Sequence, residues 1–148
     1  APSPETATSI PPMFAMAGLL GVPYILMSVR ATLHEMIKGF AADINMLRAA
    51  GVKDIILDPG FGFGKTVEQN HALLAETDKL QVLGLPILVG LSRKSMIFKP
   101  LGIPPDGSLN GTTVLNTIAL TRGASILRVH DVRQAVECVR LVGLSEGF

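Results

Sequence analysis

Four short apolar runs punctuate the chain: PYILM (Pro23 to Met27), DIILD (Asp54 to Asp58), PILVG (Pro86 to Gly90) and SILRV (Ser125 to Val129). Each has the length of a strand, and none alternates cleanly between apolar and polar. That pattern predicts strands buried on both faces, as in a parallel sheet. Between the runs the period becomes helical. Ile37, Phe40, Ala41, Ile44 and Leu47 recur three and four apart, and Gly51 is placed to end that helix. Thr66 with Gln69 reads as a capping box, followed by Leu73, Leu74, Thr77 and Leu80 and closed by Gly84. Thr113 to Thr121 predicts a further helix with Gly123 as its stop. Asp131 with Gln134 is a second N-cap signal, leading into Val136, Val139 and Arg140. Met13 to Leu20 predicts one more helix ahead of the first strand.

The order is therefore one helix and then strand–helix four times, with strands about 30 to 40 residues apart. Parallel α/β architecture with right-handed crossovers follows. An open Rossmann-type sheet and a (β/α)8 TIM barrel both fit. Four units are half a barrel, since a whole one takes about 250 residues. Residues 1–12, rich in Pro, Ser, Thr and Ala, read as an irregular lead-in, and residues 13–148 as one unit.

Composition narrows the function classes. The 148 residues are 48% hydrophobic and 17% charged, which excludes a disordered tail. Thirteen basic residues against twelve acidic ones leave no excess to neutralise phosphates, so a nucleic-acid partner is not expected. A mean hydropathy of +0.44 implies strands buried on both faces or a surface meant to be covered. No apolar run reaches the roughly 18 to 20 residues of a membrane span, and the start lacks the plan of a signal peptide. The single cysteine, Cys138, cannot pair within the chain and reads as a small core residue. A cytoplasmic protein without a membrane partner is expected.

In parallel α/β folds, ligands sit at the C-terminal ends of the strands. Those ends carry Met27, Ser28 and Arg30; then Asp58 and the loop PGFGFGKT; then Gly90, Ser92, Arg93, Lys94 and Ser95; then Arg128, His130 and Asp131. Polar groups at all four ends predict a site for an anionic ligand. The glycine loop fits neither phosphate motif. A P-loop would need glycine where Pro59 stands, and the dinucleotide fingerprint would need it at Lys65. The loop reads instead as a mobile carrier of Phe61 and Phe63, serving either as a lid or stacking surface, or as an ordinary turn capped by Thr66. Asp58 ends an apolar strand, where a carboxylate is paired or bonds a ligand. It can accept the N–H fork of a guanidine-like heterocycle or tie down the loop. Lys94 is a point-charge donor for a ring carbonyl or nitrogen. Arg128 and His130, two apart, share one side of a strand end and suit a leaving phosphate. His130 has packing against backbone as its alternative. Asp131 reads as a helix cap, and His34 and His71 as surface residues.

DPGFGFGKT, GLSRKS and RVHDV in this order, with PYILM and Met13-Phe14 ahead of them, resemble dihydropteroate synthase. The resemblance runs from about Met13 to the C-terminus. It implies the C-terminal half of a (β/α)8 barrel that joins p-aminobenzoate to a 6-hydroxymethyl-dihydropterin pyrophosphate and releases pyrophosphate. By that resemblance Asp58 and Lys94 would hold the pterin ring, with Met27 and Gly90 lining its pocket. Arg128 and His130 would bind pyrophosphate, and Phe63 and Ser95 would contact p-aminobenzoate, the site of sulfonamide action. Lys94, Arg128 and His130 are the expected catalytic groups. Mg²⁺ is implied as the cofactor accompanying pyrophosphate, with no ligands for it in this chain. Where the family usually reads Leu-Met-His-x-Arg-Gly-Thr-Pro, this chain has LMSVRATL, with Ser28, Ala31 and Leu33 at the altered positions. The family's Asn-bearing first-half motif, and its Asp and Asn for the pterin, are not in this sequence. A homodimer, or an N-terminal half missing from this sequence, is expected to complete the structure. The competing readings are a pterin-binding methyltransferase and a non-catalytic half-barrel scaffold.

Overall fold

The computed structural model describes residues 10–148. Its element order is α1 (Pro12–Leu20), β1 (Tyr24–Met27), α2 (Leu33–Ala49), β2 (Ile55–Asp58), α3 (Val67–Ala75), β3 (Leu88–Val89), α4 (Ser95–Leu101), α5 (Leu109–Thr121), β4 (Ile126–Leu127) and α6 (Val132–Glu146). Two 3-10 segments, Thr77–Leu83 and Pro105–Gly107, connect them. Of the lead-in expected over residues 1–12, the first nine lie outside the described residues, and Pro12 already opens α1.

β1 pairs parallel with β2, with Met27 opposite Asp58, and β3 pairs parallel with β4. A single parallel bridge, Leu57 to Ile87, joins the pairs into one arc. The join is narrow for a chemical reason. Pro86 accepts the Leu57 N–H on its carbonyl at 2.9 Å but has no N–H of its own to donate, so the ladder does not extend past it. The result is an open arc of four parallel strands, β1–β2–β3–β4, with helices between them and no closed barrel among the described residues.

The inner strands are buried as expected, with Leu57 and Val89 fully enclosed. The outer ones are not, which corrects the expectation of burial on both faces. Ile25 and Met27 of β1 and Ile126 of β4 are exposed, because each of these strands has a neighbour on one side only. The core packs Met36, Phe40 and Leu47 of α2 and Leu73, Leu74 and Leu80 against the inner strands. α1 buries only Phe14, edge-on to Tyr24, and Ala17, while Met13, Met16 and Leu19 face outward. α6 likewise leaves Val136, Leu141 and Leu144 exposed. Cys138 is buried on α6 beside the Thr117 hydroxyl, as its core reading requires.

Most local signals behave as read. The Thr66–Gln69 capping box is formed in both directions, at 3.1 and 2.8 Å. Gly51, Gly84 and Gly123 follow their helical segments with positive φ. α2 starts four residues ahead of the first periodic position, because the Thr32 side chain caps Glu35. α4 has no counterpart in the sequence reading: it is seven residues long, lacks a side-chain cap and contains Pro100.

Candidate functional site

Asp58 is 3% exposed at the end of β2, and both of its oxygens are occupied. Oδ1 accepts the Gly60 N–H at 2.9 Å, an Asx-type turn that starts the glycine loop. Oδ2 accepts from Arg128 Nη1 at 3.3 Å, across from the end of β4. One oxygen thus ties down the loop, and the other faces the rim. Arg128, which bonds Oδ2, has its side chain more than half exposed.

The glycine loop is pinned, not loose, which corrects its reading as a mobile carrier. Lys65 Nζ donates to the carbonyls of Gly60 (2.9 Å) and Phe63 (3.0 Å), and reaches that of Ser28 at 3.5 Å. Asn70, buried on α3, accepts the Gly62 N–H at 2.9 Å and donates to the Thr66 carbonyl. Lys94 Nζ donates to the Phe61 carbonyl at 2.6 Å. The two phenylalanines separate. Phe61 is buried in the core, so it is no lid. Phe63 is 47% exposed, with Lys94 Nζ 5.2 Å from its ring centroid. Phosphate motifs alone bear on Lys65 in the sequence, and no motif marks Asn70. Their signal was a loop with several unpaired carbonyls and N–H groups, which something has to satisfy.

Gly60 adopts φ +70°, and a Cβ there would collide with the Ser28 carbonyl oxygen. Gly84 has φ +68° with open space around it. Substituting Gly84→Ala in the natural protein is expected to cost about 1–2 kcal/mol from the left-handed backbone alone. Gly60→Ala adds the collision on top and is expected to cost at least about 1 kcal/mol more. Denaturant midpoints of the two variants measure the difference, and equal midpoints would show that the β1–β2 rim yields freely.

Gly90 follows β3 and lies between two cations: a Cβ there would lie 3.7 Å from both Lys94 Nζ and Arg128 Nη1. A side chain at Gly90 would fill the space these groups share. Burial pushes the Lys94 pKa below the ordinary lysine value; Asp58 opposes that shift, and Arg128 adds to it. Lys65 is lowered in the same sense, by burial first, against the pull of Asp58 and with the push of Lys94. A buried carboxylate thus sits among three cations at the ends of adjacent strands.

His130 is held by Ser92, whose Oγ lies 2.7 Å from Nδ1 and also accepts the His130 N–H at 3.3 Å. The ring therefore packs against a side chain of the neighbouring rim, not against backbone. Ser95 is the first residue of α4, and Met27 stands at the exposed edge beside Asp58. The structure thus brings Met27, Asp58, Gly90, Lys94, Arg128 and His130 to one rim, with Phe63 under Lys94. Asp131 takes the N-cap position of α6, but its side chain does not cap; it pairs with Arg93. His34 is exposed, whereas His71 is partly buried with Nε2 2.7 Å from the Met96 carbonyl oxygen, so it is not a plain surface residue. Among the described residues no cluster of three or more His, Cys, Asp or Glu is placed to hold a metal. No described helix is long and apolar enough to cross a membrane.

A family model for pterin binding enzymes matches residues 10–130, which contain every rim residue from Met27 to His130. The dihydropteroate synthase of Escherichia coli strain K12 is 43% identical over 110 residues, covering 73% of this chain and 39% of that protein. The Synechocystis dihydropteroate synthase is 39% identical over 151 residues, covering 91% and 52%. The Yersinia pestis enzyme, solved with a pterine-sulfa conjugate, has a TM-score of 0.89 at 36% identity, covering 93% of this chain and 57% of that one. The four-strand arc thus corresponds to part of the TIM barrel of such enzymes, and the chain spans only 39% to 57% of these relatives' lengths. Its motifs, its rim and its arc agree: the chain belongs to the family of pterin binding enzymes.

Proposed function

We propose that this chain is the pterin- and pyrophosphate-holding part of a dihydropteroate synthase. The observation that carries the reading is the buried Asp58 carboxylate set among Lys94, Lys65 and Arg128 at adjacent strand ends. An anion in a cationic rim suits a ligand with N–H donors at one end and negative charge at the other. A pterin pyrophosphate has both. The 2-amino and ring N–H groups face Asp58, a ring acceptor faces Lys94, and the pyrophosphate lies toward Arg128 and His130.

In the reaction, the bond from the pterin methylene to the pyrophosphate oxygen breaks and its electrons leave with that oxygen. The p-aminobenzoate nitrogen supplies the new bond to the methylene carbon and loses one proton. Arg128 and His130 stabilise charge as it gathers on the departing group. Phe63 and Ser95 are the contacts for p-aminobenzoate, and the Yersinia pestis relative's pterine-sulfa conjugate supports a site that spans both substrates. The described residues would supply Arg128 and His130, not a carboxylate cluster, to the pyrophosphate end, so no step is assigned here to a metal. A methyltransferase reading is weaker, since a methyl donor has no pyrophosphate to lose and would leave Arg128 and His130 without an anion. The open outer strands and apolar α1 and α6 faces support further chain, or a second copy, closing the arc. A cytoplasmic location fits this chemistry.

Arg128→Ala in the natural protein separates the two ends of the ligand. Affinity for the pterin pyrophosphate is expected to fall at least about tenfold more than affinity for the bare pterin, because a charge-assisted bond to the anion is worth about 1.5–3 kcal/mol. Calorimetry with both ligands reads the difference. Equal losses would remove Arg128 from the pyrophosphate end and with it the bipartite site.

A further inference from the structure

Arg93 has φ +55°, the one positive value on a non-glycine residue among those described. That backbone costs an L-residue energy and persists only where surroundings fix it. Three segments do so here. The Arg93 N–H donates to Thr112 Oγ1 at 3.1 Å on α5. Its Nη1 donates to the Asp106 carbonyl at 2.8 Å. Its Nε and Nη2 fork onto the Asp131 carboxylate at 3.0 and 2.9 Å. In sequence, Arg93 stands between Ser92 and Lys94, and Asp131 directly follows His130. The Arg93–Asp131 fork therefore runs parallel to the Ser92–His130 contact, as a second tie between the turns after β3 and β4.

We infer that the Arg93–Asp131 fork is a positioning clamp: it fixes the strained turn that aims Lys94 across Phe61 and holds His130 against Ser92. Neither clamp residue touches the ligand as placed by the synthase reading, on which this inference rests; they act through Lys94 and His130. A bidentate fork suits the task because it sets orientation as well as distance. Hydrogen bonding from Arg93 keeps the Asp131 carboxyl below the usual carboxylate range, so the pair stays charged under neutral conditions.

The test uses Arg93→Gly, Asp131→Ala and the double variant of the natural protein. Glycine accepts the positive φ without strain, so Arg93→Gly loses the fork and keeps the turn within reach. Two readouts are taken: the His130 ring resonances by NMR, and kcat/KM with pterin pyrophosphate and p-aminobenzoate. The expected results are shifted His130 resonances in both single variants and a fall in kcat/KM of about 100-fold, the scale of a small misplacement of reacting groups. The double variant should fall no further than the singles, because they break the same tie. Affinity for bare pterin should fall too, but less than kcat/KM, since Lys94 loses its aim while Asp58 is untouched. Unmoved His130 resonances in Arg93→Gly would overturn the clamp whatever the activity. Moved resonances with unchanged kcat/KM, or additive losses in the double variant, would overturn its positioning role. A parent protein that neither binds nor turns over pterin pyrophosphate would sink the synthase reading, while the resonances still decide the clamp.

Discussion

Asp58→Asn is expected to weaken pterin binding by the natural protein by about 2–4 kcal/mol, roughly 30- to 1,000-fold, while leaving the fold in place. The two carboxylate oxygens respond differently. Asparagine keeps a carbonyl oxygen that can accept the Gly60 N–H, so the turn that starts the glycine loop survives. The other position becomes an NH₂ group that points donors at Arg128 and at the pterin's own N–H groups. A charge-assisted acceptor is lost and a buried donor is left unmatched. Calorimetry with bare pterin, beside an unfolding curve, separates binding from stability. Unchanged affinity with a normal unfolding curve would take Asp58 out of the site.

The 148-residue chain on its own should associate and should not turn over substrate. Its two outer strands present unpaired backbone, and edges of that kind invite pairing. Beside one edge, α1 exposes Met13, Met16 and Leu19; beside the other, α6 exposes Leu141 and Leu144. Patches beyond about 300–600 Å² are rarely left bare on a monomer. The relatives that match it are about twice as long, so a site shared across a closed barrel would lack half its wall here. Light scattering at micromolar concentration should therefore show dimers or larger species. A monodisperse 15.7 kDa monomer that unfolds cooperatively and forms dihydropteroate would contradict both halves of this expectation.

The parts of the fold legible in the sequence are those governed by neighbours along the chain. The capping box at Thr66, the helix stop at Gly51 and the placement of Asp58 at a strand end all follow from local rules, and all three are present. What was not legible depends on how the chain turns in space, in several cases between residues far apart in sequence. Asp131 has the pattern of a cap, yet Arg93, 38 positions earlier, takes its carboxylate. Phe61 and Phe63 look alike in a glycine-rich loop, but one enters the core and the other faces the rim. Lys65 looks like an exposed loop lysine until the carbonyls of Gly60 and Phe63 turn toward it. The apolar runs of β1 and β4 match those of the inner strands, and only the order in the sheet shows that they are edges. Within the rim, spacing placed the residues at the right strand ends but could not show that Arg128 reaches Asp58.

The central claim is that this rim serves to hold a pterin pyrophosphate whose pyrophosphate leaves when an arylamine attacks. It is tested most directly by following pyrophosphate release from the pterin pyrophosphate in the natural protein, with and without p-aminobenzoate. The expected result is release that requires p-aminobenzoate and yields one dihydropteroate per pyrophosphate. Tight pterin binding with no amine-dependent release of pyrophosphate would contradict it and leave a pterin-binding protein of another chemistry.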